Sequence, residues 1–238
     1  MVRPTKGHSG EGAGGTRRLA VRLRTAKGRK IGSTRWLQRQ LNDPYVEDAK
    51  RRGYRSRAAF KLAEIDDKQH LLKPGLTVVD LGAAHGGFAQ VAAKRVRAAE
   101  GKGRVIAVDL SEIEPIQGVD VLALDVSDEG AGERIKAALG GSRADVVLSD
   151  MASPATGHKP TDHLRIVALA EAALDIAEDV LAPGGAFLAK VLQGGAGQEL
   201  VARMKLGFAK VQHVKPKASR AHSAEVYVLA TGFRGAPQ

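Results

Sequence analysis

One lysine and a set of aspartates stand where this chain can do chemistry. Lys190 lies inside Phe187-Leu-Ala-Lys-Val-Leu192, an otherwise apolar run that reads as a buried strand. A lysine there is costly unless it is paired or reaches the surface. Asp150, closing Val146-Val-Leu-Ser-Asp150, offers a partner from a second strand. Burial or a second nearby cation favours the neutral amine, which accepts a proton. The plainer alternative is a structural ion pair at a sheet edge. Other strand ends carry Asp80, Asp109 and Asp125. An acid ending the second strand suits ribose hydroxyls, and one ending the third suits an adenine amino group. Such acids can instead cap the next helix, a task also open to Asp128.

The element that must position these groups begins at Leu76-Thr-Val-Val-Asp-Leu-Gly-Ala-Ala-His-Gly-Gly-Phe88. Four apolar positions run into a loop with Gly82, Gly86 and Gly87, and a helix-compatible segment follows from Phe88 to Arg97. This is the pattern of a buried parallel strand whose outgoing backbone passes close under a ligand at a helix N-terminus. A dinucleotide turn would read G-x-G-x-x-G. Ala83, Ala84 and His85 separate Gly82 from Gly86 here, which disfavours a nicotinamide or flavin site.

Further strands are expected at Arg104–Asp109, Asp120–Val126, Asp145–Asp150, Ala186–Leu192, Ala209–Val214 and Glu225–Thr231, beside Thr77–Leu81. Helical patterns fill most gaps, clearest at His163–Leu181, which Pro183-Gly184-Gly185 closes. Alternation of this kind predicts a mostly parallel sheet covered on both faces. The short connection between the last two strands predicts an antiparallel hairpin at one edge.

Length and charge complete the frame. A chain of 238 residues suits one α/β domain with an appendage. It has no cysteine, which excludes disulfides, thiolate metal sites and cysteine nucleophiles; no metal is expected. No apolar run approaches the ~18 residues of a membrane span, and no signal-peptide core stands near the start, so an intracellular, cytoplasmic protein without a membrane partner is expected. Residues 1–60 hold 16 Lys/Arg against four acids, whereas the remainder is nearly neutral with 21 against 22. The basicity is an arm, which points to a polyanionic partner. Residues 1–32 lack hydrophobic periodicity and read as disordered, with a mitochondrial presequence or a solubilising tail as alternatives. A short helix is expected from Ser33, with Trp36, Leu37 and Leu41 on its apolar side and Asp43-Pro44 ending it. From Tyr45 to Ile65 a helical stretch broken at Gly53 interleaves Lys50, Arg51, Arg52, Arg55, Arg57 and Lys61 with Tyr54 and Phe60. That composition fits either a nucleic-acid surface or a solvated helix face.

Taken in order, these segments resemble a known family. Asp43-Pro-Tyr45, Arg55-Ser-Arg-Ala-Ala-Phe-Lys61, Val78-Val-Asp-Leu-Gly-Ala-Ala84 with Gly86-Gly87, Ser149-Asp-Met-Ala152, Leu181-Ala-Pro-Gly-Gly185, Lys190-Val191 with Gln193-Gly194, and Glu225-Val-Tyr227 match the FtsJ/RrmJ (RlmE) ribosomal RNA large-subunit 2'-O-methyltransferases. The resemblance runs from about Asn42 to Gly232. It implies a Rossmann-like, S-adenosylmethionine-dependent methyltransferase fold with seven strands, a methyltransferase domain over 41–238 and an RNA-binding basic extension over 1–40. The family's active-site tetrad falls on Lys61, Asp150, Lys190 and Glu225, and Gly86, Phe88, Asp109, Asp125 and Asp150 would contact the cofactor. Three positions depart from the bacterial pattern: His85 replaces proline, Phe88 replaces tryptophan and Ala224 replaces arginine.

The resemblance implies methyl transfer to the 2'-hydroxyl of a uridine in 23S ribosomal RNA, within the large ribosomal subunit, by a monomer. Lys190 would be the base, Asp150 would orient it and the cofactor, Lys61 would favour its neutral form and place the ribose, and Glu225 would hold the lysines. The rivals are a tRNA or cap 2'-O-methyltransferase, a non-catalytic RNA-binding ribosome-assembly factor and a nicotinamide dehydrogenase.

Overall fold

β-Branched, period-two segments alternate with helical ones, and in the computed structural model they fold as that alternation requires. The structure describes residues 34, 37–38, 41–153, 156–193, 197–220 and 223–235. The expected disorder and RNA contacts of residues 1–32 lie outside the described residues. The chain divides into residues 1–44 and 45–238. In the first unit Thr34, Leu37, Gln38 and Leu41 are helical, and the Asn42 side chain donates 2.7 Å to the Gln38 carbonyl. Of the two residues that could cap that helix, Ser33 and Thr34, Ser33 lies outside the described residues, as does Trp36 of its expected apolar side.

The second unit is built on seven strands: β1 (Thr77–Leu81), β2 (Arg104–Asp109), β3 (Val119–Ala123), β4 (Ala144–Ser149), β5 (Leu181–Leu192), β6 (Phe208–Val214) and β7 (Glu225–Phe233). The helices are α1 (Pro44–Arg51), α2 (Ala58–Gln69), α3 (Gly87–Val96), α4 (Ala131–Leu139), α5 (Lys159–Val180) and α6 (Gln198–Gly207). The sheet order is β3-β2-β1-β4-β5-β7-β6. Pairing is parallel from β3 to β5, and β7 is antiparallel to both neighbours. The strand order reverses between β1 and β4, which opens a crevice at their carboxyl ends.

Two apolar layers sandwich the sheet. Val79, Leu81, Val147, Phe187, Ala189 and Val228 face α4, α5 and α6. Val78, Val146, Leu148, Leu188, Tyr227 and Leu229 face α2 and α3. Side chains alternate along a strand, so Asp80, Lys190 and Glu225 share the second face with Tyr227. The polar groups thus sit on one side because of parity, a relation a one-residue slip would destroy.

The ends of β3 and the start of β5 differ most from expectation, and the expected antiparallel hairpin lies at one edge. β3 stops at Ala123, so Asp125 lies beyond the strand; Leu124 turns inward and its amide binds the Asp109 carbonyl at 3.1 Å. β5 starts at Leu181, and Pro183-Gly184-Gly185 lies within it, where the β4 pairing shifts register between Ala144 and Val146. The helix before it ends by itself at Val180. β7 enters between β5 and β6, which leaves β6 as the edge of the terminal hairpin. No helix among the described residues is long and apolar enough to cross a membrane.

Candidate active site

The carboxyl ends of β4 and β5 and the start of β7 converge under α2. Register sets Lys190 opposite Tyr227, and Leu192 opposite Glu225. α2 buries Ala59, Leu62 and Ile65 against the sheet, which brings Lys61 over the same spot. The resulting cluster centres on one oxygen. Asp150 Oδ1 lies 3.1 Å from Lys190 Nζ and 3.7 Å from Lys61 Nζ, and it accepts a 2.6 Å hydrogen bond from the Tyr227 hydroxyl. Lys190 also donates to the Asp150 backbone carbonyl at 2.7 Å. Lys61 reaches Glu225 Oε2 at 3.5 Å and stands 5.7 Å from the centre of the Tyr227 ring. The tetrad predicted from sequence is therefore gathered in space. Its Lys190–Asp150 pair lies in the interior of the sheet, not at an edge.

Charge balance follows from these contacts. Burial pushes the Asp150 carboxyl up, but Lys190, Lys61 and the Tyr227 hydrogen bond outweigh it, so its pKa falls below the ordinary carboxylate value. Burial, reinforced by the Asp150 carboxylate, raises the Tyr227 phenol well above its usual value. Tyr227 therefore stays a neutral donor. The sequence reading quotes Tyr227 only as part of a motif; its aromatic type among strand residues hides the hydroxyl's role.

The residues expected to contact the cofactor lie in the glycine turn, at the start of α3 and at the ends of β2, β3 and β4. The Asp109 carboxylate accepts from the Ala84 amide at 2.9 Å and the Ser111 amide at 2.7 Å, which ties the glycine turn to the end of β2. Asp125 accepts from the Ser127 amide at 2.8 Å. Neither Asp125 nor Asp128 caps α4, whose N-cap is Gly130. Gly86 is the N-cap of α3 at φ 93°. Phe88 is buried and stacks on Tyr227 with centroids 6.2 Å apart, so it supports the site from beneath.

Two glycines of this turn are also crowded by the protein itself. At Gly82 (φ +71°) a Cβ would come within 2.3 Å of the Met151 side chain. At Gly86 it would come within 2.8 Å of Ile116 and 3.0 Å of Arg55. Protein segments, not open space, press on both positions. Arg55 is spent on this closure: its guanidinium donates to the carbonyls of Glu114 and Pro115, and its amide binds Gln90 Oε1 at 3.1 Å. Gln90 also donates to the Gly53 carbonyl at 2.8 Å. Arg55 is thus half-buried and bonded to the Glu114–Pro115 loop.

Asp80 is fully buried, and neither carboxyl oxygen has a hydrogen-bond partner among the described residues. Burial, and then the Asp150 carboxylate, raise its pKa well above 3.8; the Ala89 amide offsets part of this without closing a bond, and Asp109 adds to it. Asp109, Asp125 and Asp150 stand at or just beyond the carboxyl ends of β2, β3 and β4. Such a set repels a pyrophosphate and suits a ligand carrying ribose hydroxyls, an ammonium and a sulfonium. S-adenosylmethionine fits that donor set.

A doubly wound sheet with an antiparallel seventh strand, an acid-lined mouth and a lysine-rich cluster beside it defines an S-adenosylmethionine-dependent methyltransferase of Rossmann-like fold. The chain belongs to the FtsJ-like methyltransferase family, whose model matches residues 54–233. It is 61% identical to ribosomal RNA large subunit methyltransferase E of Parvibaculum lavamentivorans, with 97% of this chain and 94% of that one covered. The protein of the same name from Xanthobacter autotrophicus is 58% identical, with 99% and 90% covered. Among solved structures, a ribosomal RNA methyltransferase from Plasmodium falciparum is 29% identical, superposes with a TM-score of 0.68, and covers 76% of this chain with its whole length.

Proposed function

We propose that the protein transfers a methyl group from S-adenosylmethionine to the 2'-hydroxyl of a uridine in 23S ribosomal RNA, on the large ribosomal subunit, as a cytoplasmic monomer. The observation that carries this reading is the convergence of Lys61 and Lys190 on Asp150 Oδ1, with Glu225 on Lys61, beside the acids at the ends of β2 and β3. The basic extension over 1–40 supports an RNA substrate, because a concentrated positive arm suits a polyanion.

Gly86, Asp109, Asp125 and Asp150 hold the cofactor, with Phe88 supporting them from below. When bound, S-adenosylmethionine supplies a methyl on a sulfonium, an electrophile already activated. The protein's task is then alignment and deprotonation. Lys190, in its neutral form, takes the proton of the 2'-hydroxyl at Nζ. Asp150 fixes that amine through its carboxylate and its backbone carbonyl. Lys61 places the ribose, and Glu225 restrains Lys61. Tyr227 keeps Asp150 Oδ1 in place.

The test is incubation with labelled S-adenosylmethionine and, separately, large ribosomal subunits, naked ribosomal RNA and tRNA, followed by nucleoside mass spectrometry. Label on a 2'-O-methyluridine of the large-subunit RNA is expected. Label confined to tRNA overturns the substrate assignment, and no label on any RNA overturns the activity.

A further inference from the structure

The connection between β6 and β7, residues 215–224, carries Lys215, Lys217 and Arg220 and no acid. Its two sides are sorted: Lys215 and Lys217 are exposed, while Pro216, Ala218 and Ser219 are buried. Ala218 packs against Ala49 of α1 and Phe60 of α2. Both its backbone groups are held by α2. The amide donates to Glu64 Oε2 at 3.1 Å, and the carbonyl accepts from the Arg57 guanidinium. Lys215 Nζ closes the loop on the Ser223 carbonyl at 2.9 Å.

Arg57, Lys61 and Glu64 are spaced four and three apart, which sets them on one side of α2. The middle residue meets Asp150 and Glu225; the outer two grip Ala218. One helix face therefore holds both the catalytic cluster and the basic loop. Glu64 is an acid on a surface rich in cations, where it weakens attraction for a polyanion. Its bond to the Ala218 amide gives it a different use.

We propose that Glu64 is a positioning residue for the RNA: by pinning Ala218 it presents Lys215 and Lys217 as preset contacts to the phosphate backbone, beside the exposed Lys50 and Arg51 of α1 and Arg52 just past its end. A ten-residue loop left loose must be ordered when RNA binds, and that entropy is subtracted from affinity. The pin removes the cost in advance. The inference rests on the reading of the substrate as RNA.

The experiment compares full-length wild type with Glu64→Ala and Glu64→Gln on large ribosomal subunits, reading KM for RNA, kcat, cofactor affinity and melting temperature. Glu64→Gln keeps an oxygen for the Ala218 amide and stays within about twofold of wild-type KM. Glu64→Ala raises KM about fivefold, the effect of one lost hydrogen bond, while kcat changes much less. Electrostatics alone requires the opposite, with both variants binding RNA more tightly. Equal effects of the two substitutions, in either direction, overturn the proposal. Lys217→Ala, which leaves the Lys215–Ser223 bond in place, lowers the salt slope of binding by about one, and adding Glu64→Ala to it raises KM less than the same change does in wild type. An unchanged slope, or an additive loss, overturns the proposal even where Glu64→Ala alone folds poorly. A wild type that methylates no RNA overturns the underlying reading, a result distinct from an active wild type matched by Glu64→Ala.

Discussion

Lys190 and Asp150 meet twice: the lysine nitrogen is 3.1 Å from the aspartate's Oδ1 and 2.7 Å from its backbone carbonyl oxygen. Two contacts from residues on adjacent strands define where the amine can stand. They also separate its two uses, because Asp150 keeps Tyr227 and Lys61 when Lys190 is removed. Lys190→Ala is therefore expected to lower kcat by at least about 10²-fold, the scale of a lost general base, with cofactor affinity within a few-fold of wild type. Single-turnover methylation and calorimetric titration with S-adenosylmethionine measure the two separately. Wild-type turnover in this variant would refute the assignment of the base.

Asp80 makes stability depend on pH in a direction unusual for a carboxyl. Its pKa is raised in the fold, so the folded chain keeps a proton that the unfolded chain releases above about 3.8. The stabilisation is fully present below that value and is lost as pH climbs towards the folded pKa. Asp80→Asn cannot lose it. The melting temperature of the variant should gain on wild type as pH rises above about 3.8, and parallel melting curves would contradict the assignment.

Gly82 faces two separate obstacles to substitution. A side chain at φ +71° is strained, and its Cβ would overlap Met151. Gly82→Ala is expected to cost about 2–4 kcal/mol in denaturant unfolding. Adding Met151→Ala relieves the overlap but not the backbone strain, so it should recover only part of the loss. Full recovery would mean that backbone strain contributes nothing.

Residues 1–40 hold 11 Lys/Arg, and their truncation addresses the arm's role. Removal is expected to weaken RNA binding and flatten its dependence on salt, since fewer counterions are released. Filter binding at several salt concentrations provides the slope. An unaltered slope would show that the arm does not touch RNA.

What could be read from the sequence was what is local in the chain. The buried run around Lys190, the glycine turn and the acids at strand ends are each written within a few residues, and period-two parity carries them to one face. The ordered motifs then linked Lys61 and Glu225 to that face, although 164 positions separate the pair. Less legible were contacts that depend on how segments cross. Tyr227 and Asp150 are 77 residues apart and look like a core aromatic and an ordinary strand-end acid. Arg55 reads as a surface cation until the loop at Glu114 and Pro115 is brought beneath it. Asp125 was misplaced by two residues because β3 is an edge strand whose pattern continues past its last pairing at Ala123.

The reversed direction of β7 has a practical side. The strand begins at the site with Glu225 and ends at Phe233, paired with Phe208 at the opposite end of the sheet. A tether placed after Gly235 therefore leaves from the end of the sheet opposite Lys190 and Glu225. Immobilising the protein by its carboxyl end on a sensor chip should preserve access for an object as large as a ribosomal subunit, whereas an amino-terminal tether would encumber the basic arm itself.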